Sequence, residues 1–211
     1  MFTGIVEEVG RVLETHFAQE HPQLHIGCRA VLAGAQLGDS IAVEGVCLTV
    51  ERLTDVGFVS GLMPETLRRT ALGALAPGSA LNLERSLAAD GRIGGHFVQG
   101  HIDGTGTVAE RREEGAAVLV AIAVAPTLAR YIVEKGYIAV DGASLTVVAA
   151  LPDRFTVSLV RHTQEHSTLT GKAVGAAVNI EVDILGKYVE RFTGQIGTIP
   201  TSVPDAPLAG R

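Results

Sequence analysis

Residues 135–147 read KGYIAVDGASLTV, and residues 38–50 read GDSIAVEGVCLTV. At an offset of 97, seven of these thirteen positions are identical: Ile41/Ile138, Ala42/Ala139, Val43/Val140, Gly45/Gly142, Leu48/Leu145, Thr49/Thr146 and Val50/Val147. The same offset pairs PGSALNLE (77–84) with VGAAVNIE (174–181), and Phe58 with Phe155. At an offset of 96, FTGIVEEVGRV (2–12) lines up with VQGHIDGTGTV (98–108) through Gly4/Gly100, Gly10/Gly106 and Val12/Val108. Three blocks in one order at nearly one spacing are not chance similarity between Val-rich strands. Two copies of a unit of about 90 residues point to two small domains, because a solenoid stacks three or more shorter repeats.

Each copy alternates apolar and polar residues and is rich in β-branched side chains, which predicts strands. In the first copy these are GIVEEVGRVLET, LHIGCRAVL, SIAVEG, CLTVERL, FVSGLM and ALNLERSL. In the second they are GHIDGTGTVAER, AAVLVAIAV, YIAVDG, SLTVVAAL, RFTVSLV and AAVNIEVDI. Six strands per copy suit a closed antiparallel barrel, which leaves no exposed sheet edge. The expected class is all-β: two similar six-stranded barrels over 1–88 and 89–184, and a C-terminal segment over 185–211. Two short helical stretches are expected near 64–72 and 126–134, each with Pro near its start. In ILGKYVERF, residues Ile184, Leu185, Tyr188, Val189 and Phe192 share one helical face. That helix either folds back on its own barrel or packs against sister subunits. The Pro-rich TIPTSVPDAPLAGR beyond it is expected to be mobile.

Composition narrows the function. The chain has 211 residues, 46% of them hydrophobic, and a net charge of −6. It is too apolar for disorder, and it lacks the basic face that nucleic acid requires. No apolar run approaches the roughly 18 residues of a membrane helix. MFTGIVEEVGRV has no basic region and carries Glu7 and Glu8 early, which speaks against a secretion signal. Cys28 and Cys47 read as free thiols in a reducing compartment. There is no P-loop, no dinucleotide fingerprint and no GxSxG elbow. HTQEH (162–166) and HPQLH (21–25) each space two His four apart, a zinc-compatible spacing on a helix. The repeat partner of the first, ETLRR (65–69), has no His, and no third ligand presents itself. No metal site is therefore expected.

Matched positions that differ point either to divided labour or to neutral drift: Cys47/Ser144, Ser40/Tyr137, Gly38/Lys135, Ile5/His101 and Ser86/Asp183. Ser144 and Thr146 alternate with Leu145, so their hydroxyls share one face and can hold each other or a polar ligand. Cys47 reads first as a small buried hydrophobe, with a reactive thiol as the alternative. His101 lies in the glycine-rich GGHFVQGHIDG, where backbone can approach a ligand closely.

MFTGIVEEVG, GVCLTV, MPETLRRTALG, IGGHFVQGHIDGTG, KGYIAVDGASLTV and VNIEVDILGKYVER together resemble the riboflavin synthase family, alpha-chain type, over residues 1 to about 193. The resemblance implies two lumazine-binding barrels and a C-terminal helix, assembled as a cytoplasmic homotrimer, with no cofactor and no metal. The implied reaction moves a four-carbon unit between two molecules of 6,7-dimethyl-8-ribityllumazine. It yields riboflavin and 5-amino-6-ribitylamino-uracil where the first barrel of one subunit meets the second barrel of its neighbour. The resemblance also raises association with lumazine synthase. It assigns the first pocket Gly4, Ile5, Val6, Cys47, Leu48 and Thr49, with Gly61, Leu62, Met63, Pro64, Glu65 and Thr66. The second receives Gly100, His101, Ile102, Lys135, Ser144, Leu145 and Thr146, with Val160, Arg161, His162, Thr163, Gln164 and Glu165. Turnover is expected to depend on Phe2, Ser40, Cys47, His101, Ser144, Thr146 and Asp183. Cys47 or Ser40 would activate a nucleophile or water, and His101 would assist proton transfer. Ser144, Thr146 and Lys135 would hold ring and ribityl hydroxyls, and Asp183 would orient one of these groups. The chain departs from the common pattern at Arg161, where many members have Pro, and in its short C-terminal helix. A non-catalytic lumazine or flavin carrier is the alternative. A flavin reductase barrel is disfavoured, since its flavin motif and nucleotide domain are absent.

Overall fold

The computed structural model describes residues 1–194; the tail expected beyond the last helix lies outside the described residues. The first copy forms β1 (Glu8–His16), β2 (Gln23–Gly27), β3 (Ser40–Val43), β4 (Val46–Thr49), β5 (Arg52–Thr54), β6 (Gly57–Gly61) and β7 (Ala80–Arg85). The second forms β8 (Gly104–Glu114), β9 (Ala117–Ala123), β10 (Tyr137–Val140), β11 (Ala143–Leu151), β12 (Arg154–Leu159) and β13 (Ala177–Val182). The second set closes as a barrel in the order β10-β11-β12-β9-β8-β13, every pair antiparallel.

The first set keeps that order but differs in one place. Its sheet runs β4-β3-β7-β1-β2-β6-β5, and its two ends are consecutive in the chain. The counterpart of β11 is interrupted at Val50–Glu51 between β4 and β5, although Val50 N donates to Asp39 O at 2.8 Å, as Val147 N does to Gly136 O, and Glu51 N donates to Val59 O at 2.9 Å. The ladder is therefore open where a sixth full strand was expected, and the chain itself spans the gap.

Alternation decides which residues form the cores. Phe58, Leu24, Ile26, Leu81 and Leu83 point into the first barrel, and Phe155, Ile122, Val178 and Ile180 into the second. Strands β7 and β13 are buried on both faces: Leu81 and Leu83 enter a core, while Asn82 and Glu84 face the other barrel. Asn179 and Glu181 repeat this in β13. The two barrels thus share a polar seam. The hairpins β3–β4 and β10–β11 turn at Glu44–Gly45 and Asp141–Gly142, with φ of +47° and +79°, and +45° and +81°. Acidic-Gly pairs suit such two-residue turns with both φ positive.

Helices are short. The expected helix near 64–72 is α1 (Pro64–Arg69) followed by a 3-10 turn at Ala71–Ala74. The one expected over 126–134 stops early, as α2 (Pro126–Ala129). Beyond it Tyr131 and Ile132 donate to residues three back, and buried Ile132 draws the chain into the core. The dyad mate of α1, α3 (Arg161–His166), was not anticipated. The C-terminal α4 (Ile184–Thr193) forms as expected, with Asp183 capping the Leu185 amide at 3.0 Å. No helix among the described residues is long and apolar enough to cross a membrane. Cys28 and Cys47 are free.

Candidate active site

The seam is organised by two segments that precede the first strand of each copy. Phe2 pairs antiparallel with Val98, with Phe2 N donating to Val98 O at 2.7 Å and Val98 N to Phe2 O at 3.2 Å. This bridge lies on an approximate twofold axis. Phe2, Val98, Ala42 and Ala139 form a small apolar cluster there, with Cys47 against it. Phe2 was expected to influence turnover; its ring is fully buried in this cluster, so its own contacts are structural.

Two carboxylates hold the segments in place. Glu84 accepts from Thr3 N at 2.7 Å, Thr3 Oγ1 at 3.1 Å and Gly4 N at 3.0 Å. Glu181 accepts from Gln99 N at 2.7 Å, Gly100 N at 2.9 Å and His101 N at 3.0 Å. Burial raises the pKa of both above the ordinary carboxylate value, and the amide hydrogen bonds oppose that rise. Neither was singled out from sequence, although a Glu repeated in an otherwise apolar NLE/NIE strand was a usable signal.

Each held segment then crosses to the other barrel. Gly4 O accepts from Ser144 N at 2.8 Å, and Gly100 O accepts from Cys47 N at 2.8 Å. Val6 packs on the core of the second barrel and Ile102 on the core of the first. The expected grouping is therefore exchanged: Gly4, Ile5 and Val6 adjoin Ser144, while Gly100, His101 and Ile102 adjoin Cys47. Sequence order suggested otherwise, because a segment contiguous with one copy was assumed to serve that copy.

In the second barrel this arrangement makes a cleft of about 70 Å³, bordered by Ile5, Val6, Ser144, His162, Thr163 and His166. A larger cleft of about 340 Å³ lies across Ile5, between Glu7, Glu84, Ser86 and Ala88. Ser144 is held from behind by His96, whose Nδ1 lies 2.7 Å from Ser144 Oγ. The His96 ring stacks on Tyr137 with centroids 5.2 Å apart, and its Nε2 is buried with no hydrogen-bond partner. Burial lowers the His96 pKa, with nearby Asp183 pulling the other way, so the imidazole is neutral near pH 7. A neutral imidazole against a hydroxyl can exchange a proton with it. His96 escaped the repeat comparison because, at an offset of 96, its counterpart would precede residue 1.

The other expected residues divide by face. Thr146 and Thr49 are exposed on their strands, and Cys47 and Ser40 are half-buried. Leu48, Leu62 and Leu145 differ from expectation: all three point into barrel cores, so only their backbone can meet a ligand. Met63, Pro64 and Glu65 are exposed and Gly61 and Thr66 half-buried at the start of α1, as is exposed Val160 before α3. Glu65 is engaged by Arg68 and Arg69 at 2.7 Å each, and Arg161 by Glu165 at 2.8 Å. Gln164 donates to Ala116 O at 2.9 Å and Leu159 O at 2.7 Å, which commits its side-chain amide to the scaffold. Lys135 borders neither cleft; it holds φ +63° where its mate Gly38 holds +88°, so backbone shape explains that pair. Asp183 caps α4, and His101 is exposed beside its amide contact to Glu181.

A second polar cluster joins the barrels at the hairpin turns. Asn82 Nδ2 donates to Asp141 O at 2.9 Å and Asn179 Nδ2 to Glu44 O at 2.8 Å. Thr168 N donates to Asn82 Oδ1 and Ala71 N to Asn179 Oδ1, both at 2.7 Å. Lys172 breaks the symmetry, with Nζ 2.8 Å from Glu44 and 3.0 Å from Asp141. Burial and Glu44 push the Asp141 carboxyl up to about 8. Burial works against the Lys172 charge, but Asp141 and Glu44 outweigh it and hold its pKa above the ordinary value.

The lumazine binding domain model matches twice, over residues 3–86 and 99–183. The chain is 48% identical to riboflavin synthase of Actinobacillus pleuropneumoniae over 192 residues, 91% of this chain and 89% of that protein. It is 49% identical to riboflavin synthase of Mycobacterium bovis over 201 residues, 93% of this chain and all of that protein. Crystal structures of LumP complexed with 6,7-dimethyl-8-(1'-D-ribityl) lumazine and with riboflavin share the fold, with TM-scores of 0.78 and 0.80. Both are 23% identical and cover 86% of this chain and 99% of that one. With the lumazine binding domain present in both halves and this identity along nearly the whole length of its relatives, the chain belongs to the riboflavin synthase family.

Proposed function

We propose that the protein is a riboflavin synthase, a transferase that converts two molecules of 6,7-dimethyl-8-ribityllumazine into riboflavin and 5-amino-6-ribitylamino-uracil. The observation that carries this reading is the doubled site. Cys47 in one barrel and Ser144 in the other each sit against a glycine segment crossing from the opposite copy. Two equivalent pockets suit a reaction between two identical molecules. Holding both in register supplies much of the rate, since proximity and orientation remove roughly 7–11 kcal/mol from a barrier. His96 and Ser144 are proposed to move or stabilise a proton in the second pocket, and Ser40, Cys47 and His101 to act at the first. Thr146 and Asp183 are proposed to orient the ligand.

A cleft of about 70 Å³ is smaller than the ~300 Å³ at which ligand pockets begin. A two-ring ligand seated there keeps one face open, which favours a second bound molecule or a neighbouring subunit as its cover. We infer a cytoplasmic homotrimer. The apolar face of α4 supports it: Leu185, Tyr188, Val189 and Phe192 are all exposed. The opposite face meets the barrel, with Lys187 2.6 Å from Asp103 and Glu190 paired with Arg130 and Tyr131. The assignment is tested by mixing purified protein with the lumazine and following riboflavin fluorescence. Tight binding without riboflavin would overturn it in favour of a carrier. His101→Ala and Cys47→Ser are expected to lower turnover more than affinity.

A further inference from the structure

An acid ends the crossing segment of each copy, and the two acids are held alike except for their cation. Glu7 N donates to Leu83 O and Asp103 N to Ile180 O, both at 2.9 Å. The Glu7 carboxylate accepts from Arg85 N at 2.7 Å, and that of Asp103 from Val182 N at 2.9 Å. In the first copy the cation comes from the same strand, with Arg85 Nε of β7 donating to Glu7 at 3.0 Å. In the second copy Val182 stands at the matched position of β13 and has no charge to offer. The cation comes instead from α4, where Lys187 Nζ lies 2.6 Å from Asp103 Oδ1. Their side chains are only 29% and 19% exposed, so solvent and salt screen this pair less than a surface one. Burial raises the pKa of the neighbouring Glu181, and the Lys187 charge opposes that rise along with the amides of Gln99, Gly100 and His101. One lysine of the C-terminal helix therefore acts on both acids that hold residues 99–103.

We infer that Lys187 is a positioning residue for the first pocket: through Asp103 it fixes Gly100, His101 and Ile102 against Cys47, so α4 completes a pocket in the other barrel of its own chain. What that pocket does rests on the proposed function; how the segment is held does not. The path is short. Asp103 follows Ile102, which packs on the first barrel's core, and Gly100 O accepts the Cys47 amide at 2.8 Å. Without Lys187, Asp103 and Glu181 face each other's charge across the segment, and like charges loosen what they flank. The exposed apolar face of α4, with Leu185, Tyr188, Val189 and Phe192, takes no part. The helix has a second anchor, Glu190 on Arg130 and Tyr131, which engages the residues after α2 rather than the crossing segment.

The test is amide hydrogen exchange on the full-length protein. In Lys187→Met, exchange at Gln99, Gly100 and His101 is expected to quicken by about tenfold, the loss of roughly one hydrogen bond to a charged group. Thr3 and Gly4, the matched residues held by Glu84, are expected to keep their rates. Asp103→Asn, which still offers Val182 N an acceptor, is expected to reproduce the change, and the double variant to add little to it. Lys187→Arg is expected to restore the natural rates. Glu190→Gln, which frees the other anchor of α4, is expected to leave residues 99–101 as they were. Unchanged exchange in Lys187→Met, or the same acceleration in Glu190→Gln, overturns the inference. With the lumazine, kcat of Lys187→Met is expected to fall by about threefold or more while KM changes less, since a misplacement of about 1 Å can cost 10²-fold. Its light-scattering mass is expected to match that of the natural chain. A lower mass, or an unchanged kcat, overturns the positioning role. A natural chain that forms no riboflavin counts instead against the proposed function, and the exchange comparison still decides how the segment is held.

Discussion

The Gly4 carbonyl accepts the Ser144 amide at 2.8 Å, which places the start of the first copy on the site-bearing strand of the second. A Cβ on Gly4 would lie 2.6 Å from Ser144 Cβ, and Gly4 holds φ +77°. Gly4→Ala is therefore expected to cost about 2 kcal/mol or more, from left-handed strain of roughly 1–2 kcal/mol plus the clash. Thermal melts measure the loss. Lumazine titration should show the second pocket damaged first. Gly100→Ala, whose Cβ would lie 2.6 Å from Cys47 Cβ, should instead damage the first.

Lys172 stands between two buried carboxylates. Lys172→Met is expected to lower stability by about 3–5 kcal/mol, the cost of leaving buried charge unpaired. Denaturant unfolding at pH 8.5 should show a larger loss than at pH 6, where Asp141 retains its proton.

The same carboxyl makes stability depend on pH. Folded Asp141 holds its proton up to about 8, while an unfolded Asp releases it at the ordinary aspartate value of 3.8. Between those values the folded state binds more protons. This contribution is complete below the unfolded pKa and is lost as pH rises through the folded one. The melting temperature is expected to fall from about pH 5 to about pH 8, and Asp141→Asn is expected to flatten that fall. Glu84 and Glu181, also raised, leave a residual slope at the acidic end.

His96→Ala removes the group behind Ser144 without touching the barrel cores. Riboflavin formation is expected to slow by about tenfold or more, within reach of the 10²–10⁴ of general acid–base catalysis. Lumazine affinity should change little. Equal loss of affinity and turnover would make His96 a packing residue only.

Phe192 is a large apolar side chain exposed on α4. Phe192→Asp is expected to shift light-scattering mass toward the monomer while circular dichroism of the barrels stays unchanged.

Much of this architecture was readable in the sequence because local rules and tertiary demands agree along it. Period-two alternation marked the strands, and the offset of 97 predicted that β3 matches β10 and β7 matches β13. What escaped depends on contacts between distant residues. Segments 2–6 and 98–102 are contiguous with one copy in sequence and lie against the other in space, a placement that no local pattern encodes. Leu48 and Leu145 look like pocket residues beside Cys47 and Ser144, yet alternation turns them inward. Helix α3 was hidden because RHTQEH has no side-chain cap at its start, and it packs on β12 and the 3-10 turn at Thr168–Gly171. Lys172 has Leu75 as its mate, so repetition could not mark it.

Nearly every bond across the seam has a mate: Asn82 with Asn179, Gly4 with Gly100, the Phe2–Val98 bridge with itself. A single barrel carrying these residues could have made the same contacts with an identical copy. The arrangement is what fusion of a duplicated gene for a symmetric dimer would leave behind. Lys172 has no such mate, since Leu75 stands at the matched position. Once both halves were encoded on one chain, a lysine in one half alone could serve an acid from each, an economy closed to two copies bound to identical sequences.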